Sequence, residues 1–291
     1  MPAPKAPHTA ELWSAYAPPR SLAEKWELSP ETKEGVFRIK LHEPIYVLPL
    51  SWRQHVNINP CSPNPDNCAP GYGKGYMNTE AKFQISGKVK AAENLFNSPL
   101  DLWLGYTQQS HWQVYDATDS RPFRDTNYQP EAWLTLPMNW GSQGLRWRMF
   151  NLGVVHQSNG ESNPLSRSWN RIYATFGLQA GDLSLLIKPW IRLKESPADD
   201  NNPDISDYMG RMELQAIYPW GQHVFSAKLS NNLRFNASTP NRSLIRGEWA
   251  FPLYGDLHGY VQAHYGWGES MLNYNFRNAG IGLGVSLVQW R

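Results

Sequence analysis

The stretch NRIYATFGLQ (170–179), followed by AGD (180–182) and LSLLIKPWIRLK (183–194), decides the fold. In its first part Ile172, Ala174, Phe176 and Leu178 alternate with Arg171, Tyr173, Thr175 and Gln179. In its second part Leu183, Leu185, Ile187, Pro189, Ile191 and Leu193 alternate with Ser184, Lys188, Arg192 and Lys194. Successive side chains of a strand point to opposite faces, so a period of two predicts strands with one apolar and one polar face. The pattern recurs down the chain. Tyr208, Met212, Leu214, Ala216 and Tyr218 oppose Arg211, Glu213 and Gln215; Leu257, Val261, Ala263 and Tyr265 oppose His258, Gln262 and His264. In the last segment Ala279, Ile281, Leu283, Val285 and Leu287 oppose Gly280, Gly282, Gly284 and Ser286.

A soluble sandwich alternates too. Three features favour a membrane barrel. The polar faces carry long charged side chains, as a wet lumen would. Trp190, Trp249, Tyr254, Tyr265, Trp267 and Trp290 gather near segment ends, where interfacial girdles sit. Connections alternate in length: Gln179–Asp182 and Pro219–Gln222 are tight, whereas Glu195–Ser206 and Asn231–Arg242 are long. The prediction is an all-β, transmembrane antiparallel barrel over residues 41–291, its strands starting near Tyr46. Residues 1–40, rich in Pro, Ala, Glu and Lys, read as an irregular periplasmic amino-terminal segment with a short helical possibility around Leu22–Leu28.

Composition agrees with a barrel and excludes a helical membrane protein. No run approaches the ~18–20 apolar residues a membrane helix needs. Mean hydropathy is −0.56, but barrel strands hide from such averages because they alternate. The chain is rich in aromatics, with 14 Trp, 14 Tyr and 10 Phe. A net charge of +2 over 291 residues gives no basis for a nucleic-acid partner. Met1-Pro2-Ala3-Pro4-Lys5 has no apolar stretch, so either a signal peptide has been removed or the chain is cytosolic. Cys61 and Cys68 bracket a Ser-Pro-Asn-Pro-Asp-Asn turn. They read as a disulfide suited to an oxidising compartment, or as two free loop thiols.

The chemistry lies in HQSNG (156–160) and SRSWN (166–170). The strand leading in carries Arg148, Phe150, Leu152, Val154, His156 and Ser158 on its more apolar face; the other holds Met149, Asn151, Gly153 and Val155. Asn170 continues the Ile172, Ala174, Phe176, Leu178 stripe. A hairpin closed by residues 159–169 brings Asn170 beside His156. Polar side chains on a lipid-facing band are costly, which favours a functional reading over a polar rim. A serine hydroxyl could attack an ester, an imidazole relay its proton, and an amide fix the imidazole's tautomer.

These residues resemble the outer-membrane phospholipase A family. The resemblance rests on HxSNG (156–160), SRSWNR (166–171), PFRxTNY (122–128), KPW (188–190), NPDI with YMG (202–205 and 208–210) and GESxxxYNF (268–276). It implies a twelve-stranded barrel in the bacterial outer membrane with both termini periplasmic. It implies a phospholipase A1/A2 that hydrolyses acyl esters of phospholipids and lysophospholipids, depends on calcium and is active as a homodimer. It further implies Ser158 as nucleophile, His156 as base, Asn170 as its orienter, and the Gly160 N–H as an oxyanion donor. The implied Ca2+ ligands are the Ser166 hydroxyl, the Glu161 carbonyl and the Ser120 carbonyl of the partner subunit. A second site draws on Asp200, and Asn163 stands where the family can carry an acid. Gln108 matches an interface residue, although a lumenal glutamine is an equal reading. The Cys61 and Cys68 pair and the Gln289-Trp290-Arg291 ending depart from the family pattern. The rival functions are a non-enzymatic outer-membrane channel or structural barrel and, more distantly, a soluble sandwich hydrolase.

Overall fold

The computed structural model describes residues 21–142, 144–236 and 238–287. Two strands, β1 (Ile39–Leu41) and β2 (Ile45–Arg53), form the two halves of one wall position, since both pair with β3 (Thr79–Leu95). The wall continues through β4 (Leu100–Trp112), β5 (Phe123–Gly141), β6 (Arg146–Ser158), β7 (Ser168–Ala180), β8 (Leu183–Leu193), β9 (Met212–Trp220), β10 (His223–Asn231), β11 (Ser243–Tyr254), β12 (Leu257–Trp267) and β13 (Arg277–Leu287). From β2 on, each strand pairs antiparallel with its sequence neighbour, and β13 pairs with β2. The result is a closed barrel of twelve antiparallel strands. Closure removes the unpaired backbone of sheet edges, which hydrocarbon cannot satisfy. No helix among the described residues is long and apolar enough to cross a membrane.

The barrel is polar inside and apolar outside. On β3, Glu80, Lys82, Gln84, Ser86, Lys88 and Lys90 are all buried in the lumen, whereas Ile85 is exposed. Leu152, Val154, Ile172, Ile281 and Leu283 stand exposed on the outer wall. A soluble sandwich buries the opposite face. Lipid is the solvent that makes this arrangement favourable.

Part of the lumen is filled. Helix α1 (Leu22–Trp26) is capped by the Ser21 side chain, with Glu24 completing the capping box. Its Leu22 and Trp26 pack against Trp103 and Trp133. Lys88 Nζ sits 3.6 Å from the Trp26 ring centre and donates to the Lys25 carbonyl. Of the segment expected to be irregular apart from this turn, residues 22–28 thus enter the barrel. Residues 1–20 and Gln289, Trp290 and Arg291 lie outside the described residues.

Three details differ from the sequence reading. Trp190 is buried and lines the lumenal cavity, as Trp267 also does, so neither belongs to an outer girdle. On β8 Trp190 shares the inward parity of buried Ser184, whereas Trp267 has the parity of exposed Ala263 and Tyr265 and turns to the lumen directly after Gly266, whose φ is +134°. Tyr208 lies after a 3-10 turn, outside β9, and packs on Trp267 and Tyr274. Its apparent alternation with Met212 is a coincidence across a turn.

Gly153 shows how tightly the lumen is packed: an added Cβ would lie 2.6 Å from Trp133 Cβ and 2.7 Å from Tyr173 Cζ. At Gly247 it would meet open space. We expect Gly153→Ala to lower stability by about 1–3 kcal/mol. Gly247→Ala should stay within about 0.5 kcal/mol of the parent. Denaturant unfolding of the barrel in micelles, followed by tryptophan fluorescence, measures both.

Candidate active site

Register brings the two motifs together. β6 and β7 pair Val154 with Ile172, His156 with Asn170 and Ser158 with Ser168. Val154 and Ile172 are exposed on the outer wall, so His156 and Asn170 extend that face. His156 Nδ1 lies 2.8 Å from Asn170 Oδ1. Ser158 follows His156 on the same face, one strand repeat or roughly 6–7 Å further along. His156 Nε2, Ser158 Oγ and the Gly160 N–H have no hydrogen-bond partner among the described residues. Polar groups of the right kinds therefore follow one another along the chain at the end of an apolar stripe.

The hairpin loop 159–167 is held from within. Asn159 Nδ2 donates to the Leu165 carbonyl, and Asn159 Oδ1 accepts from Arg167 N at 2.9 Å. Gly160 has φ +68°, and a Cβ there would come within 2.8 Å of the Tyr128 ring. Glycine is therefore required both by backbone conformation and by the ring beneath. On the lumenal side, Gln157 Oε1 accepts from Trp169 Nε1 and Arg171 Nη2, both at 2.9 Å. Arg171 in turn stacks over Trp169. The strands that carry the outer groups are thus braced from inside.

Two neighbouring loops meet this hairpin. Cys61 and Cys68 form a disulfide, closing the loop that the sequence left as disulfide or free thiols. Fully buried Arg167 ties that loop down: it donates to the carbonyls of Pro60 and Asn67 as well as Pro164 and Ser166. From the other side, Asn201 Nδ2 donates to Ser166 Oγ at 2.8 Å. Asp200 is turned elsewhere, with Oδ1 2.7 Å from Arg192 Nη2. Asn163 Oδ1 accepts from Asn67 Nδ2. Glu161 is exposed, as is Ser120 in the 113–122 loop. The side chain of the 194–211 loop that reaches Ser166 is thus Asn201, which sequence reasoning missed.

Glu195 was missed as well. Its Oε1 accepts from Asn170 Nδ2 at 3.0 Å. Burial raises the Glu195 carboxyl above its ordinary value; Arg192 opposes the shift and Asp200 adds to it. Neither Asn201 nor Glu195 carries a local motif, because each acts across a long loop. Gln108, ambiguous in sequence, shares its parity with exposed Leu104 and Tyr106, and Tyr106 donates to it. Gln108 therefore faces outward.

A second acidic group, Glu80 and Glu269 with His111, is buried in the lumen. Arg124 lies 2.8 Å from Glu80 and 3.6 Å from Glu269, and Arg53 lies 3.7 Å from Glu80. Two guanidinium groups already balance both carboxylates, and a nitrogen donor suits calcium poorly. This is an ion-pair network of the lumen rather than a calcium site.

The chain matches the family model described as Phospholipase A1 over residues 22–287. A Neisseria meningitidis serogroup B relative is 39% identical over 290 residues, 98% of this chain and 73% of that one. Phospholipase A1 of Salmonella typhimurium is 30% identical over 285 residues, covering 97% and 96% of the two chains. Among solved structures, outer membrane phospholipase A from Escherichia coli aligns with a TM-score of 0.77 at 30% identity, over 88% of this chain and all of that one. A Salmonella typhi outer membrane phospholipase dimer with bound calcium aligns with 0.77 at 29%, over 92% and 97%. A variant of the E. coli protein, with an active-site asparagine replaced by alanine, aligns with 0.79 at 27%, over 93% and 100%. With this barrel, these matches and a match to the family model that spans nearly all the described residues, the chain belongs to the phospholipase A1 family, the phospholipid ester hydrolases of the bacterial outer membrane.

Proposed function

We propose that this chain hydrolyses acyl esters of phospholipids and lysophospholipids at a Ser158–His156–Asn170 centre on its outer wall, with calcium and as a pair of copies. The observation that carries the reading is the 2.8 Å contact between His156 Nδ1 and Asn170 Oδ1 on the lipid-facing side. The active-site asparagine of the E. coli relative supports the role given to Asn170.

The chemistry follows from the donors and acceptors. Asn170 Oδ1 can only accept, so His156 Nδ1 carries the hydrogen and Nε2 is free to act as base. His156 Nε2 takes the Ser158 proton as Oγ attacks the ester carbonyl carbon. The Gly160 N–H donates to the oxyanion that forms. The imidazolium then returns its proton to the leaving lysophospholipid oxygen, which leaves an acyl group on Ser158. Water, deprotonated by the same imidazole, releases the fatty acid. Acyl chains would lie along the exposed Leu152, Val154 and Ile172, the surface that lipid already wets.

A hard cation needs oxygen ligands. The Ser166 hydroxyl, the Glu161 carbonyl and the Ser120 carbonyl of the partner subunit supply such donors and fit calcium. Within the 194–211 loop, Asn201 sits on Ser166, and turning its amide would present Oδ1. Asp200 is the further candidate, held back by Arg192. Bound calcium would supply a polarised water beside the oxyanion. Pairing is supported by the calcium-bound dimer of the S. typhi relative and by the outward Gln108. An open wall cannot enclose an acyl chain alone, and a second barrel would complete a cleft.

Four outcomes test this reading. Ser158→Ala should bring fatty-acid release from mixed micelles to background with the barrel still folded; retained turnover would remove Ser158 from the mechanism. Asn170→Ala should lower the rate less, by roughly 10- to 100-fold, because the amide orients rather than reacts. A chelator should stop release and added calcium restore it. In calorimetric titration, Ser166→Ala should weaken calcium binding by at least roughly 10-fold, and Asn201→Ala should weaken it more than Asp200→Asn does. Equal binding by the Ser166 variant and the parent would rule out this ligand set.

A further inference from the structure

One carboxylate reaches the His156–Asn170 pair and has no part in the reaction above. Glu195 lies two residues beyond the end of β8, and its Oε1 accepts from Asn170 Nδ2 at 3.0 Å. Its side chain is largely buried, and Oε2 is 3.9 Å from Arg192 Nη2. Arg192 bonds Asp200 much more closely, at 2.7 Å. Glu195 thus stands between Arg192 on one side and, on the other, Asn170 with His156 beyond it.

The polarity of this chain of groups can run in only one sense. An ionised carboxylate has acceptors and no donor, so it can bond only the nitrogen side of the Asn170 amide. That turns Oδ1 toward His156, where it accepts the Nδ1 hydrogen. The neutral imidazole then keeps its lone pair on Nε2, the nitrogen available to Ser158. An amide with no such partner can turn over and offer Nδ2 to Nδ1, which would leave the lone pair on the wrong nitrogen. The amide also brings no charge to balance an imidazolium, whereas the carboxylate behind it does.

We propose that Glu195 is a positioning residue of this centre: it fixes the sense of the Asn170 amide and places a negative charge behind the imidazolium formed at His156. The inference rests on the Ser158–His156–Asn170 reading. The groups facing Glu195 are Asn170, His156 beyond it, Arg192 and Asp200. Glutamine at 195 can still accept from Asn170 but carries no charge. Alanine removes both the charge and the hydrogen bond.

The test compares kcat–pH profiles of the full chain in calcium-containing mixed micelles, with folding checked by circular dichroism. Glu195→Gln should lower the kcat plateau by about 3- to 10-fold with KM unchanged. Its acid limb should move to lower pH, because the charge that favours the imidazolium is gone. Glu195→Ala should cost more than Glu195→Gln. In an Asn170→Ala background it should change kcat by less than about twofold, because the carboxylate acts through the amide. A Glu195→Gln rate within about twofold of the parent with an unmoved acid limb overturns the proposal. So does an equal Glu195→Ala cost in both backgrounds. Turnover by Ser158→Ala would instead bring down the centre itself, and this inference with it.

Discussion

Every peptide group in hydrocarbon must find its partner within the protein, and the ring from β2 round to β13 is how this chain meets that demand. Closure fixes the register of all strands together. A one-residue slip anywhere would turn charged side chains such as Lys82 and Glu80 toward lipid and Ile85 toward the lumen. The same register sets His156 opposite Asn170. The geometry of the proposed centre is therefore a by-product of the constraint that makes the barrel stable. It needs no flexible loop to bring the imidazole and the amide together.

Loops add what the wall cannot. The hairpin after Ser158 carries Gly160, Glu161 and Ser166 and is held by three partners: Asn159 within it, Arg167 toward the disulfide loop, and Asn201 from the 194–211 loop. The 194–211 loop also supplies Glu195 to Asn170. One segment thus touches the proposed metal ligand Ser166 and the proposed orienter Asn170. A change at either end has a short covalent path to the other. The disulfide loop meets the same hairpin, since Asn67 Nδ2 donates to the Ser166 carbonyl.

How much of this the sequence held depends on distance along the chain. Strand faces are local, so alternation in 170–194 foretold which side chains look outward, and HxSNG with Asn170 gave the outer-wall polar groups. A fold of hairpins carries that reading across one turn. It does not carry it across a loop that returns from 25 to 35 residues away, and so Glu195 and Asn201 stayed hidden. Trp190 and Trp267 were misread for a related reason: closeness to a strand end suggests a girdle, but parity points Trp190 inward, and Trp267 turns inward after the positive φ of Gly266. The lumenal place of Leu22 and Trp26 was also out of reach, because a five-residue helix has no face of its own to declare. Several motif residues that carry the family resemblance turn out to build the lumen. Arg124 of PFRxTNY pairs with Glu80, and Tyr274 of YNF donates to Asp204 of NPDI.

A nucleophile on the lipid face, as proposed for Ser158, changes what an active site must exclude. A soluble esterase gathers a scarce substrate from water, whereas this wall is permanently wetted by molecules of the substrate class. Its apolar approach, Leu152, Val154 and Ile172, is the ordinary surface of the barrel, so selectivity cannot come from a pocket in one copy. Under the proposed reading, control has to come from completing the oxyanion side, where the Gly160 N–H stands without an acceptor and the loop oxygens at Glu161 and Ser166 are close by. A centre whose imidazole and amide are preassembled by strand register, but whose oxyanion side waits on an ion and a second copy, can sit in its own substrate without consuming it. The neutral Asn170 belongs to that logic as well. An uncharged amide at the membrane surface costs less to expose to lipid than a carboxylate, and a charge set one group further back, among Arg192 and the loop backbone, can assist the imidazole without itself facing the hydrocarbon.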